Sequence, residues 1–377
     1  MKPHLQHIEE KLSHRKSENA FRELKVKTNL IDFCSNDYLG LASEKTIHSH
    51  SDIQQYGSTG SRLISGNNQT TEEVEQFLAN FYKAESGLIF NSGYNANIGL
   101  FSCVAQRTDT IIYDELIHAS IRDGIRLSNA NSFSFKHNDI DSLRDKIKQA
   151  KGNVYVAVES IYSMDGDEAP LKGLVKLCQK YNAALIVDEA HACGVFGEKG
   201  EGLIVKYNLQ DNVFARVVTF GKAYGCHGAV VLGNELLRDY LINYSRSFIY
   251  TTALPLNSIL TIKKAHQFLL EDLDRIERLN SIVEYFKSKF LSFDIPIAIG
   301  IRNTKLVNSN SPIQCIIFPG NDEVKLLAQE IQNKGFDVRP ILSPTVAKGE
   351  ERLRICLHSF NTKEQIDELL KTIGGEL

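Results

Sequence analysis

The sequence predicts an α/β protein: a mostly parallel sheet covered by helices, joined to a smaller α+β domain in its C-terminal part. Two patterns carry this. From Gly87 to Leu232, short apolar runs alternate with amphipathic stretches, the arrangement that builds parallel strands linked by crossover helices. After about residue 240 the pattern changes to long helices and then to a strand-and-helix segment. The expected divisions are 1–45, an N-terminal helix and strand; 46–240, the large α/β domain; and 241–377, the small α+β domain.

Taken in order, residues 5 to 24 place Leu5, Ile8, Leu12, Phe21 and Leu24 at helical spacing and predict an amphipathic helix. Ile31–Cys34 reads as a short strand running into the turn Ser35-Asn36-Asp37-Tyr38-Leu39-Gly40. Gly57 to Gly66 is a Gly/Ser-rich loop, and Thr70 with Glu73 forms a capping box for the next helix. Expected strands are Gly87–Asn91, Thr110–Tyr113, Ser132–Phe135, Val154–Glu159, Ala184–Asp188, Arg216–Thr219 and Ala229–Leu232. Expected helices between them include Asn97–Gln106, Ile117–Ser128, Ile140–Ala150 and Leu171–Tyr181. Beyond them come the helices Leu256–Leu270 and Asp272–Phe290, then Gln314–Phe318, Glu323–Lys334, Glu351–Leu357 and Glu364–Thr372.

Composition narrows the function. The 377 residues are 42% hydrophobic with a formal net charge of −3, and the pI is near 6.4. No long basic run exists, which argues against nucleic acid or an anionic membrane as partner. Seven scattered cysteines, none in a C-x-x-C pair, favour a reducing cytoplasm over a disulfide framework or a zinc site, and no metal is expected. No apolar stretch approaches the roughly twenty residues of a membrane span.

The chemistry lies at strand ends, where open α/β sheets bind ligands. Asp188 ends the apolar run Ala184-Leu185-Ile186-Val187 and is followed by Glu189-Ala190-His191. Further on, Thr219-Phe220-Gly221-Lys222 places a lysine in a Gly-flanked turn after another strand. A carboxylate that keeps a pyridine ring protonated, and a lysine that holds an aldehyde cofactor as an imine, are what pyridoxal phosphate chemistry requires. An acid at a strand end also serves as an ordinary helix cap, and a lone lysine is usually a solvated charge. Asp188-Glu189-Ala190-His191 also spells a helicase box, but that reading needs a G-x-x-x-x-G-K-[ST] loop, which is missing. Asn91-Ser92-Gly93-Tyr94-Asn95 follows a strand and opens a helix, so its N–H groups suit a phosphate as well as an ordinary cap at Ser92. His118, at a strand-to-helix junction, is placed to stack on a cofactor ring, and His191 to reach the ring's phenolic oxygen.

These residues resemble the α-oxoamine synthases, pyridoxal phosphate enzymes of fold type I with the aspartate aminotransferase-like fold. The ordered words are Ser35-Asn-Asp-Tyr-Leu-Gly-Leu-Ala42, Gly57-Ser-Thr-Gly-Ser-Arg-Leu63, His118-Ala-Ser120, Ser163-Met-Asp-Gly-Asp167, Asp188-Glu-Ala-His191, Thr219-Phe-Gly-Lys222 and Arg352-Leu-Arg354. The resemblance implies a decarboxylative condensation of an amino acid with an acyl thioester. Within the family, Thr219-Phe-Gly-Lys-Ala-Tyr-Gly-Cys-His-Gly-Ala229, Phe248-Ile-Tyr-Thr-Thr252 and Arg339-Pro340 before Pro344-Thr345-Val346 are similar to the branch that joins L-alanine to a pimeloyl thioester, as CoA or carrier protein, for biotin.

The resemblance further implies that Lys222, Asp188, His191 and His118 carry catalysis, and that Gly93, Tyr94, Ser163 and Thr219 also contact the cofactor. It assigns Asn36 and Arg354 to the amino-acid carboxylate, and Arg22 and Thr345 to the acyl substrate. It implies a homodimer with shared active sites, in which Thr251 and Thr252 reach the neighbour's phosphate. Thr71 departs from the family pattern, where a histidine is common, and so does the pair Ala192-Cys193. The competing activities are another α-oxoamine synthase, using glycine or serine, and a fold-type-I aminotransferase.

Overall fold

The protein is described from a computed structural model, which covers residues 3–24, 26, 29–49, 56–292 and 305–374. Two compact units divide the chain: one is Met1–Ser35, Met164–Gly166 and Asn280–Leu377, the other Asn36–Ser163 and Asp167–Leu279. The expected boundary near residue 240 falls inside the second unit, within the helix Glu235–Tyr244.

The chain opens on a helix, Pro3–Ser17, shorter than the stretch 5–24 expected from apolar spacing. Its stop is visible in the backbone. Asn19 adopts a left-handed φ of 50°, while Ala20 N donates to Arg15 O at 2.8 Å and Glu18 N to His14 O at 3.1 Å. Asparagine tolerates this conformation and so ends the helix, leaving Phe21 and Leu24 outside it. The strand β1 (Ile31–Asp32) follows. The Asp32 carboxylate accepts from Cys34 N and Ser35 N, each at 2.8 Å, which turns the chain at the start of the Ser35–Gly40 segment.

The second unit holds a seven-stranded sheet. Its strands are β2 (Ser86–Phe90), β3 (Thr110–Asp114), β4 (Asn131–Phe135), β5 (Val154–Glu159), β6 (Ala184–Asp188), β7 (Ala215–Thr219) and β8 (Ala229–Gly233). Their order is β2-β8-β7-β6-β5-β3-β4. Pairings from β7 to β4 are parallel, and β8 runs against both its neighbours, so β8 alone is reversed among the described strands of this sheet. The run Val156-Ala157-Val158 of β5 and Leu185-Ile186-Val187 of β6 is buried throughout, as expected of strands covered on both faces. Leu88, Phe90, Ala96, Leu100, Phe101, Ile111, Ile121, Ile125, Ala157, Ile186, Val217 and Val231 join in one cluster, which ties the helices Gly93–Cys103 and Ala119–Leu127 to the sheet.

The helix Gln69–Phe81 is capped by Asn68, whose side chain accepts from Thr71 N at 2.9 Å, and not by the expected Thr70–Glu73 box. Asn is as good a cap as threonine, and here it lies one residue before the first helical turn while Thr70 is already inside it. From this helix projects Glu75, only 2% exposed. It is held by Arg62 at 2.8 Å and Arg238 at 3.1 Å, and it accepts from Ile89 N at 2.9 Å. The carboxylate therefore ties the Gly57–Gly66 loop to strand β2 and to the helix Glu235–Tyr244, which bears Arg238.

In the other unit the four-stranded sheet is antiparallel, in the order β12-β13-β10-β9, with β9 (Lys305–Leu306), β10 (Ile313–Ile317), β12 (Arg339–Ile341) and β13 (Arg352–Cys356). A separate parallel pair joins β1 to β11 (Phe336–Asp337). The helices Asn321–Asn333 and Lys363–Gly374 bury Leu327, Ile331, Ile366, Leu369 and Leu370. Arg352, 5% exposed, binds Asp165 and, at 3.3 Å, Met164 O, which holds the short segment 164–166 in this unit.

Because Glu75 is buried between two guanidinium groups, Glu75→Ala should cost about 3–5 kcal/mol of stability by leaving uncompensated buried charge. Urea unfolding of the variant checks this, and a loss below about 1 kcal/mol would contradict it.

Candidate active site

Four strands of the large sheet end in polar residues at one edge: Asp114 on β3, Glu159 on β5, Asp188 on β6 and Thr219 on β7. Parallel strands deliver all their carboxyl ends to the same side, so a polar group at each terminus is enough to build a site. In the β5–β6 register Glu159 lies opposite Asp188.

Asp188 is 7% exposed and well satisfied. Its Oδ1 accepts from Ala190 N at 2.9 Å, and its Oδ2 accepts from Asn97 Nδ2 at 2.8 Å. The same Asn97 amide donates to Ser120 Oγ at 3.0 Å, and Ser120 Oγ lies 2.8 Å from His118 Nδ1. The His118 side chain caps its helix by accepting from Ser120 N, while the His118 backbone N–H donates to Glu159 Oε1 at 2.6 Å. A continuous polar network thus runs from Asp188 through Asn97 and Ser120 to His118 and Glu159. Burial pushes the Glu159 carboxyl up to about 8, and the Asp188 charge adds to the effect. Burial also lowers the His118 pKa, against the pull of Asp188 and with the help of Lys222, so the imidazole is neutral.

The third group is the lysine. Lys222 Nζ lies 2.8 Å from His191 Nε2, and His191 Nδ1 lies 2.7 Å from the hydroxyl of Tyr38, which donates on to Asn36 Oδ1 at 3.1 Å. Asp188 and Lys222 both act electrostatically on His118 and on Glu159, so the acid and the amine serve the same polar network. The lysine is held by a tight turn in which Gly225 N donates to Lys222 O at 2.8 Å. Gly225 has φ +59°, and a Cβ there would stand 2.1 Å from Ala42 N, so no other residue fits. Beside it, Tyr224 is wholly buried and stacks on His266 at 4.0 Å, and both meet the Tyr82 hydroxyl, at 3.1 and 2.9 Å.

These residues fit pyridoxal phosphate. A buried carboxylate suits the ring nitrogen, an amine suits the aldehyde, and the helix starting at Gly93 offers N–H groups to a phosphate. Gly93 stands against Thr219: a Cβ at that position would lie 3.3 Å from the Thr219 Cβ and Oγ1, which leaves backbone at the closest point. Tyr94 is half exposed and donates to Asp123 Oδ2, and Ser163 is partly buried in the turn after β5. Thr251 Oγ1 and Thr252 O accept from Asn91 Nδ2, at 3.4 and 2.9 Å. Thr71 is buried on Asn68 and Cys193 is buried near Glu201 O. Arg22, Thr345 and Arg354 are carried by the other unit: Arg22 and Thr345 are exposed, and Arg354 is partly buried on β13, opposite Cys315.

Asn97, Glu159 and Tyr38 were not singled out as functional by sequence. Asn97 had a signal, since an amide inside the apolar run Ala96–Phe101 of a buried helix needs polar partners. Glu159 had a weaker one, an acid ending an apolar strand as Asp188 does. A further cluster supports the same edge. His137 is clamped between Asp114 at 2.9 Å and Asp167 at 2.8 Å, and meets Tyr162 edge-on at 4.5 Å. This joins the end of β3 to the turn that carries Ser163.

Comparison with known proteins gives the family. The family model for aminotransferase class I and II matches residues 28–373. The chain belongs to that family. It is therefore a pyridoxal phosphate-dependent enzyme of fold type I. The 8-amino-7-oxononanoate synthase of Emericella nidulans is 40% identical, covering 97% of this chain and 94% of the relative. A solved 8-amino-7-oxononanoate synthase from Francisella tularensis is 31% identical with a TM-score of 0.79, covering 92% of this chain and 97% of its own. A serine palmitoyltransferase from S. paucimobilis, with a bound PLP–myriocin aldimine, has a TM-score of 0.85 at 25% identity and covers 99% of this chain and 96% of its own. Among the described residues no helix is long and apolar enough to cross a membrane.

Burial alone would lower the His137 pKa, but the hydrogen bonds and charges of Asp114 and Asp167 outweigh it and raise the value to about 10. The folded pKa lies above the ordinary imidazole value of about 6.5, so this stabilisation is fully present below that pH and is lost as pH rises through about 10. His137→Asn should therefore cost on the order of 2 kcal/mol at pH 6 and much less near pH 10.5. Urea unfolding at the two pH values checks the difference, and an equal loss at both would contradict it.

Proposed function

We propose that this chain catalyses the decarboxylative condensation of L-alanine with a pimeloyl thioester, on CoA or a carrier protein, to give 8-amino-7-oxononanoate for biotin. The observation that carries the reading is the contact of the Lys222 amine with His191 beside the buried Asp188. The extended similarity to 8-amino-7-oxononanoate synthases supports the choice of substrates. When bound, pyridoxal phosphate supplies an aldehyde that holds the amino acid's nitrogen and a protonated ring that takes up the electron pair left at Cα.

The chain's own residues do the rest. Asp188 keeps the ring nitrogen protonated, and the Asn97 and Ala190 N–H groups stabilise its carboxylate form. The Lys222 amine removes the Cα proton and later returns it, with His191 Nε2 beside it as a hydrogen-bond partner. His118, its pKa lowered by burial, would cover the ring without adding charge to it. Gly93, Tyr94, Ser163 and Thr219 would contact the cofactor, and Asn36 would take the amino-acid carboxylate; for Tyr94, Ser163 and Asn36 this rests on the family resemblance. For Arg354 on that carboxylate, and for Arg22 and Thr345 on the acyl chain, the proposal rests on the family resemblance alone. The condensation forms a bond from Cα to the thioester carbonyl carbon and expels the thiol. The carboxylate then leaves as carbon dioxide.

We also infer a homodimer, with Thr251 and Thr252 facing the partner's phosphate. The exposed Ile64 (84%) and Tyr250 (72%) support it, because both lie on segments joined by the Ala253 N to Gly60 O hydrogen bond. A second reading, transamination, is favoured only by the breadth of the family itself.

The deciding assay offers alanine, glycine and serine against thioesters of graded length and follows thiol and carbon dioxide. Both products with alanine and pimeloyl thioester are expected. Amino-group transfer with neither product would favour the second reading. Lys222→Ala should abolish turnover and the cofactor's visible absorption in the loaded protein, and an active, normally coloured variant would sink the assignment.

A further inference from the structure

The amine of Lys222 belongs to a hydrogen-bonded row in which one member, Tyr38, has no assigned role. His191 lies between Lys222 and Tyr38, and Tyr38 ends on Asn36. The direction of donation can be worked out from the far end. Asn36 presents Oδ1, which can only accept, so the Tyr38 hydroxyl donates its single proton there. The Tyr38 oxygen must then accept from His191 Nδ1, which therefore carries hydrogen. His191 Nε2 is left bare and accepts from the Lys222 amine.

We propose that Tyr38 is a positioning residue: its hydroxyl fixes His191 in the Nδ1–H tautomer and so presents a basic nitrogen to Lys222. The inference rests on Lys222 being the residue that captures the cofactor. A lysine attacks an aldehyde only as the neutral amine, so its proton needs a destination. In this row an N–H bond on Lys222 Nζ breaks and an N–H bond on His191 Nε2 forms. The positive charge moves from ammonium to imidazolium, and the nitrogen lone pair of Lys222 becomes free to attack. The imidazolium keeps its Nδ1–H bonded to the Tyr38 oxygen, which strengthens Nε2 as a base. Tyr38 suits the task because its ring is wholly buried, so the hydroxyl is held in place. Asn36 at the far end is the group proposed for the amino-acid carboxylate, so the row joins the capture lysine to the substrate pocket.

The test uses the full chain, labelled with 15N-histidine, with and without pyridoxal phosphate and without substrate. A His191→Asn sample identifies the His191 signals. The expected wild-type protein without cofactor shows a protonated Nδ1 and a pyridine-type Nε2. Tyr38→Phe should lose that preference, and its rate of cofactor capture, read from the growth of visible absorption, should fall about tenfold. Replacing Tyr38 by 3-fluorotyrosine keeps the shape and weakens the oxygen as acceptor, so it should give an intermediate rate. That variant decides the matter if Tyr38→Phe fails to fold. An unchanged tautomer or an unchanged capture rate in these variants overturns the proposal, as does a wild-type His191 protonated at Nε2. Thiol release by the wild type tests the proposed reaction separately, because neither measurement here involves alanine or thioester.

Discussion

The Asp188 carboxyl is almost wholly buried at the end of β6, and the polar network around it is organised to give it hydrogen-bond partners. A carboxylate removed from water is stable only where hydrogen-bond donors replace its hydration. Asn97 supplies one from the helix Gly93–Cys103, and the backbone of Ala190 supplies another from the turn after β6. The same Asn97 amide nitrogen also donates to Ser120, and Ser120 meets His118 Nδ1. Glu159 completes the set, and burial beside a second acid keeps it largely protonated, so the two carboxyls do not both carry full charge. The acid thus determines where the histidine sits, although the two are seventy residues apart in the chain.

Much of this was legible in the sequence because strand periodicity and the chemistry coincide there. The runs ending at Asp188 and Thr219 lie where expected, since in each the change from apolar to polar residues coincides with the strand's carboxyl end. Lys222 was legible because glycines flank it, and the left-handed Gly225 shows why such residues are needed. The parallel core followed from alternation, although the reversal of β8 did not, because apolar runs carry no direction.

What escaped was set by contacts distant in sequence. Asn97 meets Asp188 across ninety-one positions, and Tyr38 meets His191 across a hundred and fifty-three. No local pattern encodes such pairs. The N-terminal helix failed for a different reason: Phe21 and Leu24 keep helical spacing, but a backbone stop at Asn19 overrides it. Likewise Asn68 took the capping position from Thr70, one residue into the helix, where spacing rules cannot separate neighbouring caps.

The reversed strand has an effect on assembly of the molecule. Because β7 and β8 are adjacent and antiparallel, the segment between them closes a small loop. Small loops lose little chain entropy on closure and form quickly. The turn that carries Lys222 is therefore closed by near-neighbour pairing, whereas the surroundings of Asp188 need β5, β6 and the helix bearing Asn97 to come together. The lysine's turn is closed by its own hairpin, and the amine's polar partners, like those of the acid, come from far along the chain.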